Sequence, residues 1–529
     1  MAALLVAGCA PSANGTLATA SRADTLTLAT PWEPDTLDPL LLNGSQATTI
    51  ENLMFSYLLN VDNDGNPVPD IAATVPSKKN GGISRDGLTI TYHLRRGVRW
   101  SDGAPLNARD VAFSFAAIMS PDNNTGTREG YDQIASLIAT DAFTVVLRLK
   151  RPYSPILLTF FGPNQNYAII PAHVLRRLHS LNRAAYNAHP VGSGPYMMEH
   201  WSHGDRLVLV RNPHYYGRRP AIEHIVLKFI PNAQTILTQL QTGEIDGTLS
   251  ADVSIVPQFA ALKDYRIVRT PVPVTDMLGL NTADPILSDQ RVRRAFVTAL
   301  DLPRIVRDGT YGVHSTANAP RGLFEWSYDP SIPPPRYDRR GAAALLDAAG
   351  WRLGADALRH KNGVPLQLQM VTPVGSVEAR IATEMQAAEA VIGIGLVLRT
   401  ETMAELYATH GSLFGGKFQT SVNGIINGPD PETVWFLTCA QRPPNGFNFM
   451  RYCNKAVDDA EAAGLRTFDR AARVRDYDIV QRRVAQDMPL VPLFQADDID
   501  VVTKRLRGFV PSSEFVLFRG VQNWSLAPG

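Results

Sequence analysis

The chain has 529 residues, more than the about 250–300 that one hydrophobic core usually serves, so we expect two or more lobes. Its 51 Lys and Arg against 50 Asp and Glu leave a formal charge of +1, and this balance speaks against a basic nucleic-acid-binding face. After the first ten residues no apolar run approaches the about 18 residues needed to cross a bilayer, so the body of the chain is predicted to lie outside the membrane.

The N-terminus, "MAALLVAGCAPSANGTLATASRAD", passes from a short apolar stretch through Cys9 into a small, polar segment. The "VAGC" stretch resembles the lipobox of a bacterial lipoprotein signal, in which Cys9 becomes the lipid-bearing first residue of the mature protein. We therefore predict a signal over residues 1–9, a flexible leash over residues 10–23, and export with a membrane tether through Cys9. A chance cysteine in an ordinary apolar N-terminus is the alternative.

The next elements predict a mixed unit. "TLTLAT" alternates as a strand from Thr25, and "TTIENLMFSYLL" places apolar residues at 50, 53, 54, 57 and 58, on one face of a helix. "GLTITYHLRRGVRW" is typical of an extended, hairpin-like segment, and "NARDVAFSFAAIM" predicts a helix capped by Asn107. Residues 46–190 are expected to form this unit.

The rest of the chain alternates strands with helices. "NAQTILTQLQTGEIDG" predicts a helix that Asn232 caps and Gly243 ends. Strands are predicted at "MLGLN", "LQLQMV" and "LVLRTE", and helices at "SDQRVRRAFVTAL", "RRGAAALLDAAG" and "SVEARIATEMQAAEAVI". A last helix near residues 467–486 precedes strand-like "PLVPLFQADDIDVV". This alternation indicates an α/β lobe.

Besides Cys9, the chain has only Cys439 and Cys453. In an exported protein the two can pair and close a loop of about 15 residues. In a reducing compartment they would be two inert thiols. The possible lipobox and this pair support each other.

No stretch of the sequence predicts a catalytic or metal site. "GSLFGGKF", residues 411–418, approaches a phosphate-binding loop, but Phe418 stands where a Ser or Thr hydroxyl must bind Mg²⁺, so a Gly-rich surface turn is the better interpretation. Neither GxSxG nor HExxH occurs. Acidic pairs such as Asp497 and Asp498 are expected on solvated faces. We predict neither enzyme activity nor a cofactor or bound metal.

Several long segments follow one another in the order of a known family: "PVPDIAATVPSKKNGGISRDGLTITYHLRRGVRWSDGAPLNARDVAFSF", "VGSGPYMMEHWSHGDRLVLVRNPHYYGRRPAIEHIVLKFI", "LQTGEIDG", "LGLNTADPILSDQRVRRAFVTALD" and "ALLDAAGW". Together they resemble the large extracellular solute-binding proteins, family 5, which serve peptide, nickel and related ABC importers. The resemblance covers about residues 24 to 510.

This resemblance implies a two-lobed α/β fold of the periplasmic-binding-protein type, type II, with an extra inserted subdomain and a hinge between the lobes. Lobe I would consist of residues 24–45, 191–270 and 491–529, with residues 46–190 inserted, and lobe II of residues 271–490. Solute would bind in the cleft, and closure would bury it. The implied partners are a solute, an ABC permease and its ATPase subunits, with no nucleic acid, and the protein would be a monomer.

The resemblance also implies cleft residues. One wall would be the loop after "LDP", with Asn43, Gly44 and Ser45. The other would come from "TSVNGIINGPDPETVWF", and Tyr131 and Asn281 are further candidates. The residues expected from this second wall are Asn423, Gly424, Ile425, Asn427, Asp430 and Trp435.

Peptide binders of this family commonly carry a Trp six residues before the Asp of the "DP" pair and an acidic residue three before it, which pairs with the α-ammonium of the ligand. This sequence has Gly424 and Asn427 there. A buried ammonium without a counter-charge costs several kcal/mol, about what one broken buried ion pair costs. Either Asp430 or Glu432 supplies the charge, or the solute lacks a free amino terminus.

Peptide is therefore the default solute, and two alternatives stay open. The first is a non-peptide solute of the same transporter class, such as an oligosaccharide, a nickel chelate or another small molecule. A sugar would stack on aromatic rings such as Trp435 or Trp32. The second is an exported enzyme or chaperone that uses the same cleft.

Overall fold

The computed structural model describes residues 24–42, 45–62, 64–163, 167–316, 325–511, 518 and 520–528. Its strands, in chain order, are β1 (Thr25–Thr30), β2 (Leu59–Val61), β3 (Pro67–Pro69), β4 (Thr89–His93), β5 (Ile134–Asp141), β6 (Thr144–Leu149), β7 (Tyr196–Ser202), β8 (Arg206–Arg211), β9 (His224–Phe229), β10 (Gly247–Thr248), β11 (Tyr265–Leu280), β12 (Ser315–Thr316), β13 (Arg352–Leu353), β14 (Arg359–Lys361), β15 (Val364–Pro365), β16 (Gln367–Pro373), β17 (Gly395–Glu401), β18 (Thr420–Ile426), β19 (Leu490–Thr503), β20 (Leu506–Arg507) and β21 (Ser525–Leu526).

The described α-helices are α1 (Ser45–Met54), α2 (Ala108–Met119), α3 (Ile156–Thr159), α4 (Ala172–Leu175), α5 (Ala233–Thr242), α6 (Val256–Phe259), α7 (Gln290–Thr298), α8 (Leu302–Gly309), α9 (Arg339–Ala348), α10 (Val377–Ala390), α11 (Met403–Tyr407), α12 (Val434–Leu437), α13 (Lys455–Arg466) and α14 (Arg470–Asp487). Within the described ranges, no helix combines the length and the apolarity that a bilayer span requires.

Local sequence signals place the helix ends. The Asn107 side chain accepts a hydrogen bond from the Arg109 backbone, and the Asp110 side chain accepts one from the Asn107 backbone, so α2 begins with a capping box. The Asn232 side chain accepts from the Thr235 backbone at the start of α5, and Gly243 ends that helix at φ 69°. The predicted caps of both helices are confirmed.

Two predicted elements differ from the structure. Helix α1 ends at Met54, because the backbones of Tyr57 and Leu58 pair with Ile71 and Phe161 instead of continuing the helix. The segment predicted as hairpin-like contributes only β4, which pairs with β6, so that Ile90 lies opposite Leu147. Tertiary partners far along the chain decide both outcomes.

The largest sheet runs through both halves of the molecule, in the order β17-β16-β18-β11-β19-β10-β1-β9-β8-β7. At one end β16 pairs in parallel with β17 and β18. In the other half of the sheet β1 pairs in parallel with β9 and β10. The long strands β11 and β19 belong to both halves and connect them.

The change from one half to the other occurs inside these two strands. They pair from Tyr265 to Pro271 and again from Thr275 to Gly279, with a register shift between Pro271 and Thr275. After this shift β11 also pairs with β18. We call residues 271–276 of β11 and 494–497 of β19 the crossing.

Separate cores lie on the two sides of the crossing. Leu26 and Leu28 of β1 share one core with Trp100 and Tyr131 from the region between β3 and β7, so the inserted residues pack as part of the first lobe. On the other side, Leu278 and Met277 of β11 point into two further cores, one on each face of the sheet. The mixed α/β, two-lobed fold predicted from the sequence is what the structure has.

Candidate ligand-binding site

Asp276 is a carboxylate inside the crossing, in a strand that is otherwise mostly apolar. It is 5% exposed, and its Oδ1 atom has no hydrogen-bond partner. Glu378, from the first turn of α10, lies in hydrogen-bonding contact with it. Burial, and then the Glu378 charge, raise the pKa of Asp276 well above its ordinary value of 3.8. Asp276 therefore retains its proton to a higher pH than an ordinary aspartate when no cation is near.

Gly424 lies directly opposite Asp276 on β18. A Cβ atom at this position would lie 3.2 Å from Asp276 Oδ1 and 3.3 Å from Val274 Cγ1. Cross-strand neighbours normally cover each other, so a glycine here leaves this side of the carboxylate without a covering side chain. The bulky Trp expected at this position in peptide binders would crowd Asp276 Oδ1.

His314 and Tyr407 complete the surroundings of the carboxyl pair. The His314 ring stacks on Phe494 with centroids 5.1 Å apart, and its Nδ1 accepts a hydrogen bond from the Asp497 backbone at 3.1 Å. Burial and the nearby Arg269 lower the pKa of His314 to about 4, so this ring is neutral at pH 7. Burial, reinforced by Glu378 and Asp276, raises the pKa of Tyr407 to about 12.

The predicted residues of β18 and the turn after it lie next to the crossing. Asn423 is buried opposite Met277, and its Oδ1 accepts a hydrogen bond from Ser421 at 3.0 Å. Ile425 is buried opposite Thr275. The Nδ2 atom of Asn427 donates to Thr275 Oγ1 at 3.5 Å. Of these residues, Gly424 lies opposite Asp276, whereas Asn423 and Ile425 lie opposite Met277 and Thr275, on the other face of the sheet.

Asp430 forms an internal ion pair with Arg473. Both its oxygens accept hydrogen bonds from Arg473, at 2.9 and 2.5 Å, and both side chains are buried. Burial alone would lower the pKa of Arg473, but Asp430 and Tyr477 raise it above its ordinary value. Glu432, the other predicted source of charge, accepts a hydrogen bond from the Val434 backbone at 3.0 Å.

Tyr131 and Asn281 contact other residues of the protein itself. Tyr131 is fully buried among Phe160, Phe161 and Tyr167, because aromatic packing in the inserted region encloses it. Asn281 follows the end of β11 opposite the crossing, about 16 Å from Asp276 at about 3.3 Å per strand residue. Its Nδ2 donates to the Phe418 carbonyl at 3.0 Å, so it stabilises a turn.

The remaining predicted positions divide into two groups. Cys9, Asn43 and Gly44 lie outside the described residues, and Ser45 is the first residue of α1, with its side chain outside them as well. Trp435 is half-buried and packs edge-on against Phe436 and Phe447.

Cys439 and Cys453 form a disulfide, with the sulfur atoms 2.09 Å apart. It joins the segment after α12 to the one before α13. Asp497 and Asp498, expected on a solvated face, are half-buried on β19, because this strand runs through the middle of the large sheet.

The sequence analysis missed Asp276, Glu378 and His314. The one local signal was a lone Asp in the apolar run "TPVPVTDMLGL", where a charge in a buried strand is uncommon. Across the described part of the chain, no three His, Cys, Asp or Glu side chains are grouped so that they could hold a metal ion. The site therefore offers a pair of carboxyl groups surrounded by neutral polar side chains.

Comparison with known proteins identifies the family. The model of the family described as "Bacterial extracellular solute-binding proteins, family 5 Middle" matches residues 66–445. Protein XP55 of Streptomyces lividans is 29% identical over 500 residues, 93% of this chain and 87% of that protein. The oligopeptide-binding protein AppA of Bacillus subtilis is 25% identical over 507 residues, 94% of this chain and 90% of that protein.

A solved structure agrees with this identification. The fold resembles that of NikZ from Campylobacter jejuni in complex with Ni(L-His), with a TM-score of 0.78 and 25% identity, covering 95% of this chain and 99% of that one. Members of the matched family are transport proteins that bind solutes and are not enzymes. The chain belongs to the bacterial extracellular solute-binding proteins, family 5.

Proposed function

We propose that this protein is the solute-binding component of an ABC importer, which captures a peptide between its two lobes and delivers it to the membrane permease. The observation that carries this proposal is the crossing. Two lobes with separate cores are connected there by β11 and β19, and a buried carboxylate without a hydrogen-bond partner at Oδ1 stands at the junction. The likeness to AppA, named an oligopeptide-binding protein, supports peptide as the solute class.

Closure around the solute would take place by rotation at the crossing. A hinge is a short segment that absorbs a change in backbone angles, and the register shift between Pro271 and Thr275 is such a segment. Lobe I then comprises residues 24–45, 191–270 and the C-terminal part, with residues 46–190 inserted. Lobe II comprises residues 271 to about 495, because β19 still pairs with the second half of β11 up to Gln495.

The walls of the cleft would be the end of β18 and the loop that contains Asn43, Gly44 and Ser45. Asn423 and Asn427 offer hydrogen-bonding groups to a peptide backbone, and extended peptides are commonly held through such bonds. Gly424 lies beside Asp276 in this wall, and Ile425 follows it along β18. Trp435, half-buried beyond the turn, would contact a side chain of the solute.

We also propose export and anchoring by lipid at Cys9, with residues 10–23 as the leash. The disulfide between Cys439 and Cys453 supports an oxidising compartment, because such bonds are rare in the cytosol. The mature protein would act as a monomer beside its permease and ATPase subunits.

Native mass spectrometry of the mature protein, purified without refolding, tests the proposed function. A ladder of peptide masses released on denaturation is expected. A single non-peptide mass would favour the second candidate, a receptor for a nickel chelate or another non-peptide solute. That candidate is supported by the neutral Asn427 and by the pairing of Asp430 with Arg473, which leave the usual site of the α-ammonium without a free acidic group.

A further inference from the structure

We propose that Asp276 and Glu378 together bind a primary ammonium group of the captured solute, the role that Asn427 cannot fill. This inference rests on the proposed function, because the solute must enter between the lobes to reach the pair. It concerns a different strand and a different helix from the turn in which the family resemblance places the acidic residue.

The geometry of Asp276 carries the proposal. Oδ1 is buried and receives no hydrogen bond from a backbone, amide, hydroxyl or cationic donor among the described residues, and a ligand donor would supply one. Gly424 places no side-chain atom on this side of the oxygen. An ammonium group has three donors, so one can reach Asp276 Oδ1, a second Glu378, and the third a neighbouring neutral oxygen.

A primary ammonium fits this site better than a metal ion. Two carboxylates offer too few ligands for Ca²⁺ or a structural Zn²⁺, which require about four to eight. His314, the nearby imidazole, uses Nδ1 as an acceptor for the Asp497 backbone. The described residues hold no group of three His, Cys, Asp or Glu side chains that would complete a metal site.

The pair would exchange a proton for the ligand cation. Without ligand, Asp276 retains its proton, because it is buried beside a second carboxyl group. An arriving ammonium displaces that proton to solvent and carries the same single positive charge, so the net charge of the occupied site equals that of the empty one. Proton and ligand compete, so the affinity for a free-amine solute rises with pH until the empty pair is ionised.

The neighbouring titratable groups do not replace the cation. Glu378 faces Asp276 from α10, and Tyr407 interacts with both carboxyl groups from the end of α11. His314, in the segment before β12, interacts with Glu378. His314 and Tyr407 are neutral at pH 7, since their pKa values are about 4 and about 12. Arg269 acts on His314 and Asp497, on the other side of the crossing.

The test uses the mature chain and one probe peptide. The tetrapeptide retained most strongly from a random free-amine pool is identified by native mass spectrometry, and its affinity is compared calorimetrically with that of its N-acetylated form. Asp276→Asn is expected to weaken the affinity for the free-amine peptide by at least about 30-fold, since it removes one partner of a buried charge pair. Glu378→Gln should weaken this affinity less, and neither variant should change the affinity for the acetylated peptide.

Two controls keep the outcome clear. Asp356→Asn removes an exposed carboxylate in the same lobe and is expected to leave both affinities unchanged. Melting curves show whether each variant is folded, and Glu378 is only half-buried, so Glu378→Gln should fold normally. The wild-type affinity for the free-amine peptide should rise between pH 5 and pH 8, whereas that of Asp276→Asn stays flat.

The possible failures are distinct. If Asp276→Asn binds the free-amine tetrapeptide as tightly as wild type, the ammonium site is refuted while the peptide-binding function stands. If the wild-type protein retains no tetrapeptide at all, the proposed function is contradicted, and the inference falls with it.

Discussion

Asp430 and Asp276 are two aspartates of the second lobe with the same 5% exposure, yet their surroundings are opposite. Arg473 gives Asp430 two hydrogen bonds and a full counter-charge. Asp276 has a second carboxyl group as its neighbour and no donor at Oδ1. Burial alone therefore does not identify a functional acid. The charge of the neighbouring side chain decides whether a buried carboxylate stabilises the lobe or is available to bind a cationic ligand.

The largest expected effect on stability comes from breaking the ion pair between Asp430 and Arg473. Arg473→Ala leaves Asp430 buried without a counter-charge, which should lower the free energy of unfolding by about 3–5 kcal/mol. Urea denaturation followed by circular dichroism measures this loss. Arg482→Ala, at a pair that is half-exposed, should cost less than about 1 kcal/mol.

Adding Asp430→Asn to Arg473→Ala should recover part of the stability, because it removes the unpaired charge. A loss below about 1 kcal/mol for Arg473→Ala alone would show that the buried pair does not distinguish Asp430 from Asp276.

Replacing Asp276 should have the opposite effect and raise the stability of the ligand-free protein. The folded-state pKa of Asp276 is raised above its ordinary 3.8, so its contribution to stability is complete below about pH 4 and is lost as the pH rises through the raised value. Asp276→Asn removes this loss, so the ligand-free variant should be more stable than wild type by about 1–3 kcal/mol at pH 8. Thermal melts at pH 4, 6 and 8 measure the difference, and a variant that is less stable at every pH would count against an unsatisfied carboxylate.

The two carboxyl groups of the site should be energetically coupled. In a double-mutant cycle, Asp276→Asn and Glu378→Gln in ligand-free protein at pH 8 should show an interaction energy of about 0.5–3 kcal/mol, because either change relieves the same repulsion. Strict additivity of the two effects would mean that Glu378 does not raise the pKa of Asp276. Asp276→Asn combined with Asp356→Asn serves as the additive control.

The smallest effect on stability is expected at the uncovered side of Asp276. Gly424→Ala places a Cβ atom 3.2 Å from Asp276 Oδ1, a contact that small shifts relieve, so stability should change by less than about 1 kcal/mol. Affinity for a free-amine peptide should nevertheless fall several-fold, because the methyl group occupies the space beside the oxygen. Val397→Ala, exposed on β17, is the matched control, and equal affinities for the two variants would argue against this space as part of the site.

Local features of the sequence predicted much of the fold. The caps at Asn107 and Asn232 and the end of α5 at Gly243 depend on nearby residues, and they were predicted correctly. The end of α1 was missed, since residues after Met54 are held by strands and loops far along the chain. The two-lobed arrangement followed from the family resemblance, not from periodicity.

The site was predictable only in part. The resemblance led to β18 and the turn after it, because those residues are contiguous in sequence. It could not show that Arg473 neutralises Asp430, nor that Glu378 meets Asp276 across about a hundred residues of chain. Nor could the sequence show that Tyr131 packs among other aromatic rings, since nothing local distinguishes an aromatic residue in a core from one that lines a cleft.

The most direct test of the account is the crystal structure of the mature protein with the solute with which it purifies. The account predicts a cationic nitrogen of that solute about 2.7–3.2 Å from Asp276 Oδ1, with Glu378 on its other side. A solute whose cationic group binds elsewhere, with Asp276 and Glu378 still in contact only with each other, would contradict it.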